Sequence, residues 1–383
     1  MDFSHLAFDS SLREYQTQAA ALFDGWKAGD AGAIQIVKTK HPRFLDERVP
    51  WLPKKLADSE IRAVTLELAD TELALARWYD FRHWAALAEY AESVAQKNSP
   101  VYRFEAAVGA VISGDFDALQ AALAAYPDLA RARSQRITHF DPPAHRATLL
   151  HYVAANGTEG YRQKCPANAV AVAETLLQDN AEVDALADLY GGGCTTMSLL
   201  VSSRHPAEAG VQVLLVDTLV DWGAALEGHG SGQWVSPLMT ALAFGYLDAA
   251  QALVRRGARV DSLAAAAGLG RTDGARELLA GAPGEDRHRA LVLASQHGHV
   301  EVVRLLLDAG EDPNRYNPKG NHAHSTPLHQ AAIAGHEAVV RLLVERGASL
   351  DMPDTIFEGT PLGWAEYAGR TEVADYLRHG GAA

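Results

Sequence analysis

From Thr326 to Asp351 the chain reads TPLHQAAIAGHEAVVRLLVERGASLD. The same order of residue types returns as SPLMTALAFGYLDAAQALVRRGARVD from Ser236, RALVLASQHGHVEVVRLLLDAGEDPN from Arg289 and GTPLGWAEYAGRTEVADYLRHGG from Gly359. Such a returning pattern constrains the fold strongly, because each copy is a unit too small to bury its apolar face alone. Each piece has a mechanical reason. Thr or Ser before Pro caps a helix whose first turn tolerates proline, since that N–H would be unpaired anyway. Paired alanines let a neighbouring copy approach closely. Gly245, Gly298, Gly335 and Gly369 end the short first helix in a left-handed conformation. Val-Val-x-Leu-Leu then gives a second helix, which Gly347-Ala348 ends.

These residues resemble the ankyrin repeat. Less regular copies extend the array: SLAAAAGLGRTDGARELLAGAP from Ser262, TTMSLLVSSRHPAEAGVQVLLVDTLVDWGAALE from Thr195, TLLHYVAANG with AETLLQDNAEVDA from Thr148, and a degenerate capping copy, Phe104 to Ser134. Ser262 follows Asp261 so directly that no room remains for a long hairpin. The count is about eight units between Phe104 and Ala383. The resemblance implies an all-α fold, a curved, right-handed ankyrin-repeat solenoid, with inner helices and hairpin fingers lining its concave face.

Residues 1–98 lack the repeat yet read as helical, with Leu, Ala, Trp and Tyr three and four apart and Pro50 and Pro53 between the runs. Trp26, Trp78 and Trp84 read as core. This segment is expected to be an amino-terminal helical cap over the open end of the array, residues 99–383. LALARWYDFRHWAALAEY is similar to the helical leader before some bacterial ankyrin arrays.

No run of about 18 apolar residues exists to span a bilayer, and the first residues lack the basic and apolar regions of a signal peptide. A cytoplasmic location is expected. A net charge of −14 argues against nucleic acid and membrane as partners. Two cysteines, Cys165 and Cys194, are too few for a disulfide framework or a four-thiolate zinc site. No metal or cofactor is expected.

Two copies are interrupted. Eighteen positions separate His329 from Gly347, but twenty-nine separate the equivalent His151 and Asn180, and twenty-five separate Ser198 and Gly223. The insertions fall at about 157–168 and 202–212 and, being equivalent, are expected to form a ledge holding Tyr161, Arg162, His205 and Gln212. Polar and aromatic residues crowd the neighbouring fingers: His139 and His145 in RITHFDPPAHR, Tyr190 in LADLYGGGCTT, Trp234 in GHGSGQWVSP. His151 occupies the Thr-x-x-His slot, where the family's histidine bonds within and between repeats. His322 and His324 read as a solvated finger tip.

The resemblance implies a scaffold that binds a protein partner through its concave face. The alternative is a small-molecule binding protein or an unusual enzyme with a pocket built by the insertions. There His151, His205 and Tyr161 would carry acid–base chemistry, and Arg162, His139, His145, Tyr190, Trp234 and Gln212 would hold the ligand. No substrate is legible.

Overall fold

The computed structural model describes residues 3–230, 232 and 235–380. They fall into two compact units, one up to Ala224 with Gly230 and Gly232, the other holding the rest. Among the described residues the secondary structure is helical, with isolated β-bridges and no strand. The fold is an all-α ankyrin solenoid, as the repeat predicts.

The first unit opens with five helices, α1 (Leu12–Ala28), α2 (Ala31–Lys40), α3 (Asp58–Arg62), α4 (Leu68–Trp78) and α5 (Trp84–Ala95). Ser11 and Glu14 cap α1 reciprocally, Ser11 N–H donating to Glu14 Oε2 at 2.7 Å. The apolar stripes close on a core that includes Tyr15, Leu22, Trp26, Leu75, Tyr79, Phe81 and Leu87. Trp26 is buried, and Trp78 and Trp84 pack half-buried against the same core.

Three helix pairs follow: α6 (Pro100–Ser113) with α7 (Phe116–Ala125), α8 (Leu149–Val153) with α9 (Ala169–Gln178), and α10 (Thr196–Leu200) with α12 (Gln212–Asp221). The short α11 (Arg204–Glu208) fills the second insertion, and a turn of 3-10 helix, Gly160–Arg162, lies in the first. Helix α5 packs on α6, so the leader covers the first pair.

The second unit holds five pairs. Inner helices α13 (Pro237–Ala243), α15 (Leu263–Gly268), α17 (Gly284–Gln296), α19 (Pro327–Ala334) and α21 (Pro361–Tyr367) alternate with outer helices α14 (Leu247–Arg255), α16 (Thr272–Leu279), α18 (Val300–Asp308), α20 (Glu337–Glu345) and α22 (Thr371–Arg378). Each inner helix packs on the next inner one, and α16, α18, α20 and α22 pack in series behind them.

The repeat's Thr-x-x-His bond explains the stacking. Thr326 N–H and Oγ1 meet His329 Nδ1 at 3.2 and 2.8 Å, which leaves Nε2–H to donate across to Gly359 O at 3.1 Å. Finger 317–325 differs from its sequence reading. His322 is half-buried and its Nε2 meets Ala243 O at 3.1 Å, because the finger reaches back to the end of α13, where the ring also lies against Phe244.

Candidate functional site

Within the first unit, the first insertion turns inward and carries charge with it. Glu159 and Arg162 are buried, with side-chain exposures of 0% and 4%. Arg162 Nη2 meets Glu105 Oε2 at 2.6 Å, and Glu105 rises from the middle of α6, where the repeat asks for an apolar residue. Arg136 reaches in from the finger after α7. Its Nη1 lies 3.4 Å from Glu105 Oε2 and donates to Tyr161 Oη at 3.2 Å, and its Nη2 donates to Tyr79 O at 3.0 Å. Arg136 Nε stands 3.2 Å from Glu159 Oε1, off the line of a hydrogen bond, so that contact is ionic.

Glu159 also accepts from Tyr152 Oη at 3.1 Å and contacts His145 Nε2 at 3.0 Å. Phe81 and Tyr90 lie against the Arg136 guanidinium, 4.2 and 4.7 Å from ring centre to cation. His5 is stacked between Trp78 and Tyr161, with centroids at 3.9 and 4.4 Å, and so closes the cluster from the amino-terminal side.

Two buried arginines therefore balance two buried glutamates. Burial disfavours both guanidinium charges, yet Tyr161 and the paired glutamates outweigh it and push both arginines well above their ordinary range. Burial also opposes ionisation of Glu159, but Arg136, the His145 hydrogen bond and Arg162 together hold it well below the usual carboxylate range. Burial, then the nearby glutamates, pushes Tyr152 far up. Glu159 and the two arginines hold their charges, and Tyr152 its proton, across neutral pH. The arrangement ties leader, finger and insertion together; it is not set for proton transfer.

The structure joins three of the expected site residues, Tyr161, Arg162 and His145, in this cluster, where protein groups take up their polar atoms. Arg162 is committed to Glu105, and Tyr161 is covered by His5 and Arg136. His145 is spent between Glu159 and Ala147 N, whose N–H donates to its Nδ1 at 3.1 Å. His151 stands apart from it. It repeats the His329 bond, accepting at Nδ1 from Thr148 and directing Nε2 to Cys194 O at 3.3 Å, and burial pushes it down to about 4. A histidine so occupied is a structural tie.

The others are scattered. His205 is half-buried on α11. Gln212 is buried and donates to Leu200 O and Ser203 O at 3.0 and 3.1 Å, which closes the second insertion. Tyr190 donates to Asn156 Oδ1 at 2.7 Å. His139 lies tilted against Phe140, with ring centres 4.2 Å apart, and is pushed down to about 4, by burial first and then by Lys40 and Arg77. Trp234 lies outside the described residues. Burial pushes the Cys165 and Cys194 thiols up to about 11 and about 12, away from nucleophile chemistry. No group of ligands able to hold a metal occurs among the described residues.

Sequence reasoning missed Glu105, Arg136 and Glu159. Glu105 had a signal, a lone acid in the apolar run FEAAVGAV. Arg136 and Glu159 had none, being charged residues in loops.

Residues 236–317 and 315–383 match the family model described as ankyrin repeats (3 copies). This stretch is an array of ankyrin repeats. The mouse ankyrin repeat and SAM domain-containing protein 6 is 38% identical over 98 residues, 26% of this chain and 11% of that protein. Its zebrafish counterpart is 31% identical over 171 residues, 41% of the chain and 22% of the relative. The ankyrin repeat and KH domain-containing protein mask-1 of Caenorhabditis elegans is 32% identical over 219 residues, 55% of the chain and 8% of the relative. The chain thus spans less than a quarter of each of these relatives, all eukaryotic.

Proposed function

We propose that this ankyrin-repeat chain is an interaction scaffold that binds a protein partner through the concave face formed by inner helices and fingers. One observation carries the reading. Among the described residues of the second unit, the exposed large apolar side chains are Val235, Phe244, Tyr316, Phe357 and Tyr367. All five lie beside or at the end of an inner helix or in a finger, and none lies on an outer helix. Tyr367 is 90% exposed. Apolar side chains left exposed along the inner helices and fingers of the second unit suit recognition.

A cytoplasmic location belongs to the same proposal, supported by the free thiols of Cys165 and Cys194. No described helix is long and apolar enough to cross a membrane. The likeness of the leader to bacterial arrays stays a resemblance beside eukaryotic relatives of the repeats.

The test is capture of a partner on the full chain, followed by affinity measurement with paired variants. Phe357→Ser with Tyr367→Ser should weaken binding by tenfold or more, a loss of about 1.4 kcal/mol. Glu301→Ser with Glu372→Ser, on outer helices, should leave it unchanged. The reverse order of effects would overturn the concave-face reading.

A further inference from the structure

The segment ahead of α1 is held in the way a bound peptide is held. Residues 3–7 form neither helix nor turn. Among the described residues, the one bond that joins the main chain of residues 3–10 to another main-chain group is Ser10 N–H to Ala7 O, at 3.1 Å. Side chains of the elements beneath hold the segment instead. Gln18 Nε2 of α1 donates to Ser4 O at 2.8 Å, Leu6 N–H donates to Tyr79 Oη at 2.7 Å, and Tyr90 Oη of α5 meets Phe8 O at 3.1 Å. These contacts fall on residues 4, 6 and 8, the alternate positions by which an extended chain turns one edge to its support. Tyr79 Oη in turn donates to Gln18 Oε1 at 2.7 Å, so two of the three anchors brace each other.

The side chains fit the same groove. The His5 ring lies between Trp78 and Tyr161, 25° and 6° from parallel to them, and its Nε2 meets Trp78 O at 3.2 Å. That slot is one ring wide. Phe3 and Leu6 pack on the core of the leader, and the Phe8 ring centre lies 5.4 Å from that of Tyr102 on α6. Ser4, Ala7 and Asp9 stay exposed.

These contacts run between segment and groove, and none of them requires the two to belong to one molecule. An identical segment from a second copy makes the same contacts with no loss of bonding, which is the condition for exchange between protomers.

We propose that this groove accepts residues 3–10 of a second copy of the chain, so that two chains join by exchanging the segment. Within one chain the resident segment competes at an effective concentration of about 1 mM, so exchange sets in only as the chain concentration approaches that value. The proposal stands apart from the concave-face reading, since the groove lies in the first unit and Phe357 and Tyr367 lie in the second.

Fluorescence anisotropy with the full chain and a labelled octapeptide, FSHLAFDS, residues 3–10, tests the groove. His5→Ser with Phe8→Ser in the chain weakens the resident segment and leaves the groove whole. The octapeptide should bind this variant about tenfold or more tighter than it binds the wild type, and a peptide carrying the same two changes should lose about as much, because both ring contacts are gone. An unfolding curve shows whether the variant is folded. If it is not, the wild-type chain decides: at about 1 mM, a peptide with benzoylphenylalanine in place of Phe8 should crosslink beside Tyr90 or Tyr102. Sedimentation reads the exchange itself, and dimer should form in the wild type at about 1 mM and be scarce in the double variant. No binding of the octapeptide to the variant at about 1 mM, equal binding by variant and wild type, or crosslinks away from Tyr90 and Tyr102 overturn the groove. A wild type that stays monomeric, or dimer content equal in wild type and variant, overturns the exchange.

Discussion

Arg162 Nη2 sits 2.6 Å from Glu105 Oε2, joining an insertion between α8 and α9 to the middle of α6. Both side chains are almost wholly buried, so the pair has no water to fall back on. Removing one partner leaves the other charged and unsolvated. Arg162→Ala should therefore cost about 3–5 kcal/mol in chemical unfolding, whereas replacing Glu105, Arg136, Glu159 and Arg162 together by Leu or Met should cost much less. A loss for Arg162→Ala no larger than that for the exposed Arg378→Ala would refute the clamp.

How much of this was legible depended on whether a contact is local. The helix pairs were readable because caps, alanine pairs and terminal glycines act within a few residues of themselves, as at Thr326, Ala331 and Gly335. The slot that His151 fills was readable for the same reason, since it is defined by Thr148 three residues away, although the sequence left both a structural and a chemical use open for it. The buried cluster was not. Glu105, Arg136 and Glu159 come from a helix, a finger and an insertion, and nothing in any one of these segments announces the others. Spacing shows that these copies are longer than the regular one, but it carries no information on whether an inserted loop turns out to make a ledge or in to fill a core.

Two kinds of group tie stability to pH in the same direction. The folded pKa of Glu159 lies well below its ordinary 4.5, because Arg136, His145 and Arg162 outweigh burial, so its contribution is present above about pH 4.5 and lost as pH falls below. His151 is pushed by burial from 6.5 to about 4, so the unfolded chain takes up its proton first and stability falls between those values. His297, likewise lowered to about 4 by burial, acts in the same window. Thermal midpoints should drop from pH 6.5 to 4.5 and more steeply below. His151→Asn should flatten the upper part only, and a wild-type profile level from pH 6.5 to 4.5 would contradict this account.

Gly335 ends α19 at φ 85, and a Cβ built there would stand 2.9 Å from Arg370 Cδ. Gly335→Val combines a strained backbone with a displaced arginine whose Nε donates to Ile333 O at 3.0 Å. The cost should be about 1–3 kcal/mol. Because each pair leans mainly on its neighbours, hydrogen exchange should quicken in α19 to α22 before it does in α13 to α16. Equal acceleration through the second unit would argue against such piecemeal loss.

Packing is close over α15, whose sequence LAAAAG has almost no side-chain volume after Leu263. A Cβ on Gly268 would lie 3.0 Å from Leu242 Cδ1 and 3.3 Å from Leu293 Cβ, so α13 and α17 close over this helix from both sides. That closeness lets Gln296 Nε2 donate to Ala243 O at 3.1 Å and brings His297 Nε2 to 2.9 Å from Leu242 O, bonds that skip an entire pair. It also sets Ala243 O within reach of His322 on the long finger. Gly268→Leu should wedge α13 from α17, at about 1–3 kcal/mol for overpacking. It should also release finger 317–325, whose amides should exchange faster while those of α20 and α22 do not. His322→Ala separates the two effects: it should free the finger at about 1 kcal/mol, the worth of one hydrogen bond, and leave α13 against α17. If Gly268→Leu is tolerated with the finger still protected, the approach of α13 to α17 is not what holds the finger down.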